Sequence, residues 1–168
     1  PYDIIDPASN GGKSAIILKG GQRQGFPESA LNIPVGRKAR AFFFLHGCAW
    51  TSGKPLFHYQ VNYADGSSVN VPIRNEFECA DWWNPSDANL KNRDARIAWS
   101  TKNKSHRIGL FTYKWTNPHP ERTVKSIDVI SNGRTLPMLV AITGLTKEVA
   151  NYDPIDNAQV ILGKGLRK

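Results

Sequence analysis

Phe57, Tyr59, Val61 and Tyr63 alternate with His58, Gln60 and Asn62, so an extended chain here has one apolar and one polar face. Ala64-Asp65-Gly66-Ser67 breaks the pattern, and Asp-Gly supplies the left-handed backbone of a tight hairpin. Val69, Val71 and Ile73 then resume the period of two, and Ala95, Ile97 and Trp99 repeat it, as do Ile127 and Val129. Further strands are predicted over 2–5, 14–18, 30–35, 38–46, 107–114 and 137–145. No segment before Leu145 shows helical periodicity with caps. Many short strands at close turn spacing predict an all-β antiparallel sandwich or barrel. Residues 1–145 read as that domain, and 146–168 as a C-terminal extension that docks as a last strand or is loosely held. The extension carries one apolar triplet, Val160-Ile161-Leu162, and a basic end.

If consecutive strands reverse direction, alternate loops share an end. Counting from the strand over 38–46, the segments 19–27, 74–94 and 115–123 fall with the loop that follows His46. The segments 64–66, 102–105 and 132–135 fall at the other end. Trp50, Trp82, Trp83 and Trp115 are thus expected to gather at one pole with Arg23, Phe26, Arg74, Asp81, Asn84 and His119. Indoles stack on flat ligand faces, and charged or amide neighbours fix orientation. The opposing expectation is that Trp50 and Trp115, both beside strand ends, plug the open end of the sandwich as core. For Trp82-Trp83, adjacent residues on extended chain point to opposite sides, so one can be buried while the other faces a ligand. Trp99, alternating with Ala95 and Ile97, is assigned to the core.

The composition, 168 residues with 40% hydrophobic, excludes a disordered chain and supports a real core. No apolar run approaches the roughly 20 residues needed to span a bilayer as a helix. The chain starts at Pro1 without a signal peptide, and is expected to be a piece of a longer polypeptide. The net charge of +8 favours anionic partners or simply a solvated basic surface. Arg37, Lys38 and Arg40, and Lys102, Lys104 and Arg107, are expected at the pole opposite the tryptophans, with Lys91, Arg93 and Arg96 nearer to them. A single-strand nucleic-acid binder places cations and aromatics along one groove, so that separation argues against it.

Cys48 and Cys79 are too few for a structural zinc site and form either one bridge or two buried thiols. There is no G-x-S-x-G elbow, P-loop or H-E-x-x-H. Asn10-Gly11-Gly12-Lys13-Ser14 lacks the first glycine of a phosphate loop and reads as a turn into a strand. His46 reads as a hydrogen-bonded histidine at a strand end. Glu76, Glu78, Asp81 and Asp87 share one loop, where a catalytic acid pair or merely solvated acids could sit.

Ordered segments from Ile5 to Thr143 resemble a bacterial domain of the galactose-binding-domain-like type. They are Ile5-Asp-Pro-Ala-Ser-Asn-Gly-Gly-Lys-Ser14, Phe44-Leu-His-Gly-Cys-Ala-Trp50, Tyr63-Ala-Asp-Gly-Ser67, Val71-Pro-Ile73 with Asp81-Trp-Trp83, Gly109-Leu-Phe-Thr-Tyr113 with Trp115-Thr-Asn-Pro118, and Ser126-Ile-Asp128 with Leu139-Val-Ala-Ile-Thr143. Such domains are appended to secreted polysaccharide-degrading proteins. The resemblance implies a jelly-roll sandwich and a non-catalytic carbohydrate-binding module, extracellular or periplasmic, covalently attached to a glycoside hydrolase or lyase. It implies no required cofactor, though such folds often carry a structural calcium; no calcium motif maps onto this sequence. The ligand site would be Trp82, Trp83, Trp50 and Trp115 with Asp81, Arg74, Asn84 and His119. The basic balance hints at an acidic glycan. Two alternatives stand beside it: a domain that packs on a catalytic neighbour without binding glycan, and a small polysaccharide-degrading enzyme.

Overall fold

The alternating segments close into two antiparallel sheets, described by a computed structural model for residues 2–4, 6–52 and 54–146. The extension after Thr146 lies outside the described residues. The strands are β1 (Ile16–Ile17), β2 (Ser29–Lys38), β3 (Ala41–Ala49), β4 (Phe57–Tyr63), β5 (Ser68–Ile73), β6 (Ala95–Asn103), β7 (His106–Thr116), β8 (Thr123–Ser131) and β9 (Leu136–Leu145). One sheet has the order β1-β9-β3-β7-β6 and the other β2-β8-β4-β5. With β6 set aside, the remaining eight strands follow jelly-roll connectivity, four to each sheet. Among the described residues no helix is long and apolar enough to cross a membrane.

The core forms where the inward faces meet. Phe57, Tyr59, Val61 and Tyr63 are buried while the residues between them are partly exposed, as their alternation requires. They face Phe42, Phe44 and Cys48 of β3 and Phe111 of β7, and the Phe44 and Tyr59 rings stack 4.0 Å apart. Each such side chain contributes about 2–3 kcal/mol when fully buried. The strand β3 is buried along its whole length, because Phe43 and Leu45, on the sheet's outer face, are also covered.

Several local expectations are corrected. Residues 2–4 are not in a strand. The turn between β2 and β3 falls at Ala39-Arg40, while Gly36, at φ +66, sits inside β2 where its register with β8 shifts. Trp99 is not core. Ile97 pairs with Phe111, but the register shifts before Trp99, which pairs with Leu110. One extra residue turns the side chain to the other face, and Trp99 lies half-buried outside the core cluster.

The alternation of loop ends holds only as far as β5. Let the upper end be where β3 finishes. Ala49 there pairs with Leu136, and Phe57 pairs with Ile73 and Ser131. At the lower end Ala41 pairs with both Thr116 and Leu145. The connection 74–94 leaves β5 at the upper end but delivers β6 beside Tyr113, well down the sheet. The chain then climbs β6, turns at the upper end and descends β7. Because 74–94 crosses the sheet instead of turning back at the upper end, β6 and each later strand run opposite to expectation, and every later loop changes end. Residues 104–105 and 132–135 are therefore upper, and 117–122 is lower.

Candidate functional site: an aromatic cleft on the outer sheet face

The strand β7 pairs with β3 only from Ala41 to His46. Beyond that, Asp81–Trp83 wedges between them, running parallel to β3 at Cys48 and antiparallel to β7 at Ile108. The Trp82 amide donates to the Cys48 carbonyl (2.8 Å), and the Gly109 amide donates to the Trp82 carbonyl (3.0 Å). Asn84, at φ +51, ends the wedge: its amide donates to the Arg107 carbonyl, and its Oδ1 accepts from the Arg107 amide (3.1 Å). The two indoles are thereby built into the hydrogen-bond lattice of the sheet.

Asp81 organises the rim. Its Oδ1 accepts the Trp83 amide (2.9 Å) and its Oδ2 the Trp50 amide (3.1 Å). Trp50 sits at φ +53, a backbone conformation unusual for a bulky residue and typical of sites where surrounding contacts hold strain. Behind Trp50 stands the loop 19–28. Gly20 approaches the backbone so closely that a Cβ would lie 1.8 Å from the Thr135 carbonyl oxygen. The Gly21 amide donates to the Arg134 carbonyl (2.7 Å), and the Arg23 amide to the Gly20 carbonyl (2.9 Å).

These pieces enclose a cleft of about 780 Å³. Its floor is the outer face of the five-stranded sheet: Ile17, Ala49, Leu136 and Met138. Its walls are Phe26, Trp50, Trp82 and Trp83, with Arg23 and Asp81 as the charged groups. Trp50 and Trp83 remain 42% and 41% exposed, so both present an indole to solvent. The Trp82 and Trp83 rings lie 5.8 Å apart, and His106 stands 4.7 Å from Trp83.

Four of the eight predicted site residues, Trp50, Asp81, Trp82 and Trp83, meet here, with Arg23 and Phe26 from the same predicted end. The other four do not line the cleft. Trp115 is near the lower end, where it pairs with Phe42 and stacks on it at 6.3 Å. His119 is in the lower loop, edge-on to Tyr63. The crossing of 74–94 from the upper end to the lower part of the sheet accounts for both. Arg74 is held by Glu78, through Nη2 to Oε1 (2.5 Å) and Nε to Oε2 (3.1 Å), and lies 4.5 Å over the Phe77 ring. Asn84 fixes the wedge on β7 as described. The same shift moves Lys102, Lys104 and Arg107 to the tryptophan end, opposite to expectation, while Arg37, Lys38 and Arg40 stay at the lower end.

Ile17, Leu136, Met138 and His106 were not singled out from the sequence. The first three occupy outward positions of ordinary strands, and only the wedge turns that patch into a floor. The loop carboxylates are each engaged separately: Glu76 with Lys91, Glu78 with Arg74 and Asn92, Asp81 with two amides, and Asp87 with the Ile97 amide. Among the described residues no three His, Cys, Asp or Glu side chains gather to hold a metal ion.

Beneath the rim, His46 is fully buried, with Nδ1 3.0 Å from the Tyr59 hydroxyl and Nε2 2.9 Å from the Glu78 carbonyl. The carbonyl can only accept, so Nε2 carries the proton and Nδ1 accepts from Tyr59. Burial drives the imidazole pKa down to about 4, against a smaller upward pull from that carbonyl. Burial alone would raise the Glu78 pKa, but hydrogen bonds from the Arg74 side chain and amide and from Asn92 outweigh it and lower it. Cys48 and Cys79 are buried free thiols.

The fold and site together define a jelly-roll β-sandwich with one extra edge strand and an aromatic cleft on its outer face. No protein-family model matches the chain, and no curated protein or solved structure does.

Proposed function

We propose that this domain is a non-catalytic carbohydrate-binding module that takes an acidic polysaccharide in the upper cleft. The observation that carries the reading is the double grip of Asp81 on the Trp50 and Trp83 amides. It holds two solvent-facing indoles in fixed positions, one of them in strained backbone, where a packing role would favour burial. Sugar rings present apolar C–H faces that stack on such surfaces. Arg23 in the cleft, and Lys102, Lys104 and Arg107 at the same end, favour a carboxylated or sulfated glycan. The module would serve an attached glycoside hydrolase or lyase, in an extracellular or periplasmic setting. Affinity should be modest, since a shallow site must order a flexible polymer.

Aromatics and cations at one end also suit a single-stranded nucleic acid, which makes an oligonucleotide the necessary competitor. The test is retention on a panel of neutral and acidic polysaccharides at two salt concentrations. The reading expects binding to acidic members that weakens with salt, drops at least about tenfold in Trp83→Ala and in Trp50→Ala, and is not displaced by oligonucleotide. No retention on any polysaccharide would favour the alternative of a domain that only packs on a catalytic neighbour. New reducing ends or unsaturated products would favour an enzyme.

A further inference from the structure

Cys48 is the last residue but one of β3, two residues before Trp50. Cys79 lies in the connection 74–94, two residues before Asp81. Both are fully buried, their sulfurs are 3.4 Å apart, and both thiols point at the Ala80 carbonyl, at 3.3 and 3.4 Å. The backbones are already joined beside them, by the parallel bridge from Cys48 to Asp81 and the bond from the Trp82 amide to the Cys48 carbonyl. Closing the sulfurs into a bond therefore needs a small side-chain adjustment and no new chain path.

We propose that Cys48 and Cys79 are a disulfide-forming pair whose oxidation staples the Trp-bearing wedge to β3. The co-reactant is a small-molecule or protein disulfide. One cysteine thiolate attacks a sulfur of that disulfide, forming a mixed disulfide and expelling one thiolate. The second cysteine thiolate attacks the protein sulfur of the mixed disulfide and expels the other thiolate. The two cysteines lose two electrons and two protons, and the oxidant is reduced to two thiols. Burial raises the Cys48 pKa well above its ordinary value and keeps the folded thiol protonated, so the bond forms while the chain folds. It persists in an oxidising compartment. The closed loop includes β4, β5 and the first part of the connection, so the bond removes freedom from the unfolded chain and stabilises the fold. This inference is independent of what the cleft binds.

The experiment is to refold the chain from denaturant in a buffer of oxidised and reduced glutathione, and in reductant alone. The expected product of the first is two hydrogens lighter. Its peptide map links the Cys48 and Cys79 peptides, and its melting temperature is higher by on the order of 10 °C. Reductant added after unfolding should abolish the increment, and a C48A/C79A double variant should melt at the same temperature in both buffers. Should that variant not fold, the wild-type comparison decides alone. Recovery of both thiols, of glutathione adducts without a link, or of a linked protein that melts no higher than the reduced one overturns the proposal.

Discussion

Gly21 lies so close to Trp50 that a Cβ on it would stand 2.3 Å from the indole Cε3. Gly21 also has φ +53, so an L side chain there is strained whatever the space. Gly21→Ala should thus cost about 1–2 kcal/mol of backbone strain and push the Trp50 ring from its place. Gly66→Ala, in the lower hairpin turn at φ +88 with nothing near its Cβ, carries the strain alone. Polysaccharide retention should fall in the first variant and hold in the second, with both melting a few degrees lower.

Asp81→Asn keeps the shape of the side chain but loses the charge and one of two acceptor oxygens. One of the Trp50 and Trp83 amides then lacks its partner, at a cost of about 1–2 kcal/mol. Affinity should drop several-fold, with broadened tryptophan fluorescence as the indoles lose registry. Wild-type affinity in this variant would mean that Asp81 does not position the rings.

Acid should loosen the domain through His46. Its folded pKa is about 4 against an ordinary 6.5, so between those values the unfolded chain binds more protons. Stability contributed by the neutral buried imidazole is complete above about pH 6.5 and is lost as pH falls toward 4, on the order of 3 kcal/mol in all. Glu78, with its pKa lowered by Arg74 and Asn92, adds to the loss as it protonates at more acidic pH. Melting temperature measured across pH 4–8 should be flat above 6.5 and decline below; a flat profile down to pH 4.5 would contradict the buried neutral His46.

Arg74→Ala removes the main partner of a carboxylate only 1% exposed. The cost should be about 2 kcal/mol, less than for a fully buried pair because the guanidinium is half in solvent. Trp115→Ala should likewise cost stability, by loss of its packing on Phe42. Neither side chain lines the cleft, so retention by the folded fraction should match wild type. Denaturant melts paired with binding curves separate the two effects.

The strands were legible because their signal is local. In β4 every second residue is apolar, and the core is read directly from that line of four. The Asp-Gly turn was legible for the same reason; His46 is hydrogen-bonded as expected, but it lies inside β3, which runs on to Ala49, and not at the strand's end. What failed depended on counting through irregularities that leave no periodic trace. One extra residue in β6 turned Trp99 outward, and a connection, 74–94, that crosses from the upper end to the lower part of the sheet reversed β6 and sent Trp115 and His119 to the lower end. Nor does alternation reveal that 81–83 pairs as a wedge, since three residues are too few to show a period. Trp50 and Asp81–Trp83 kept their expected end because they lie before the connection has crossed the sheet.

The wedge has a consequence for how the cleft behaves. Its indoles hang from amides and carbonyls shared with β3 and β7, so on the proposed reading they would stand in place before a glycan arrives. The conformational entropy of arranging the surface is lost once, during folding, and an encounter adds only the immobilisation of the incoming molecule. Shape and cohesion are then a single property: on the proposed reading, any disturbance that parts the wedge from β3 or β7 would blunt recognition at the same step.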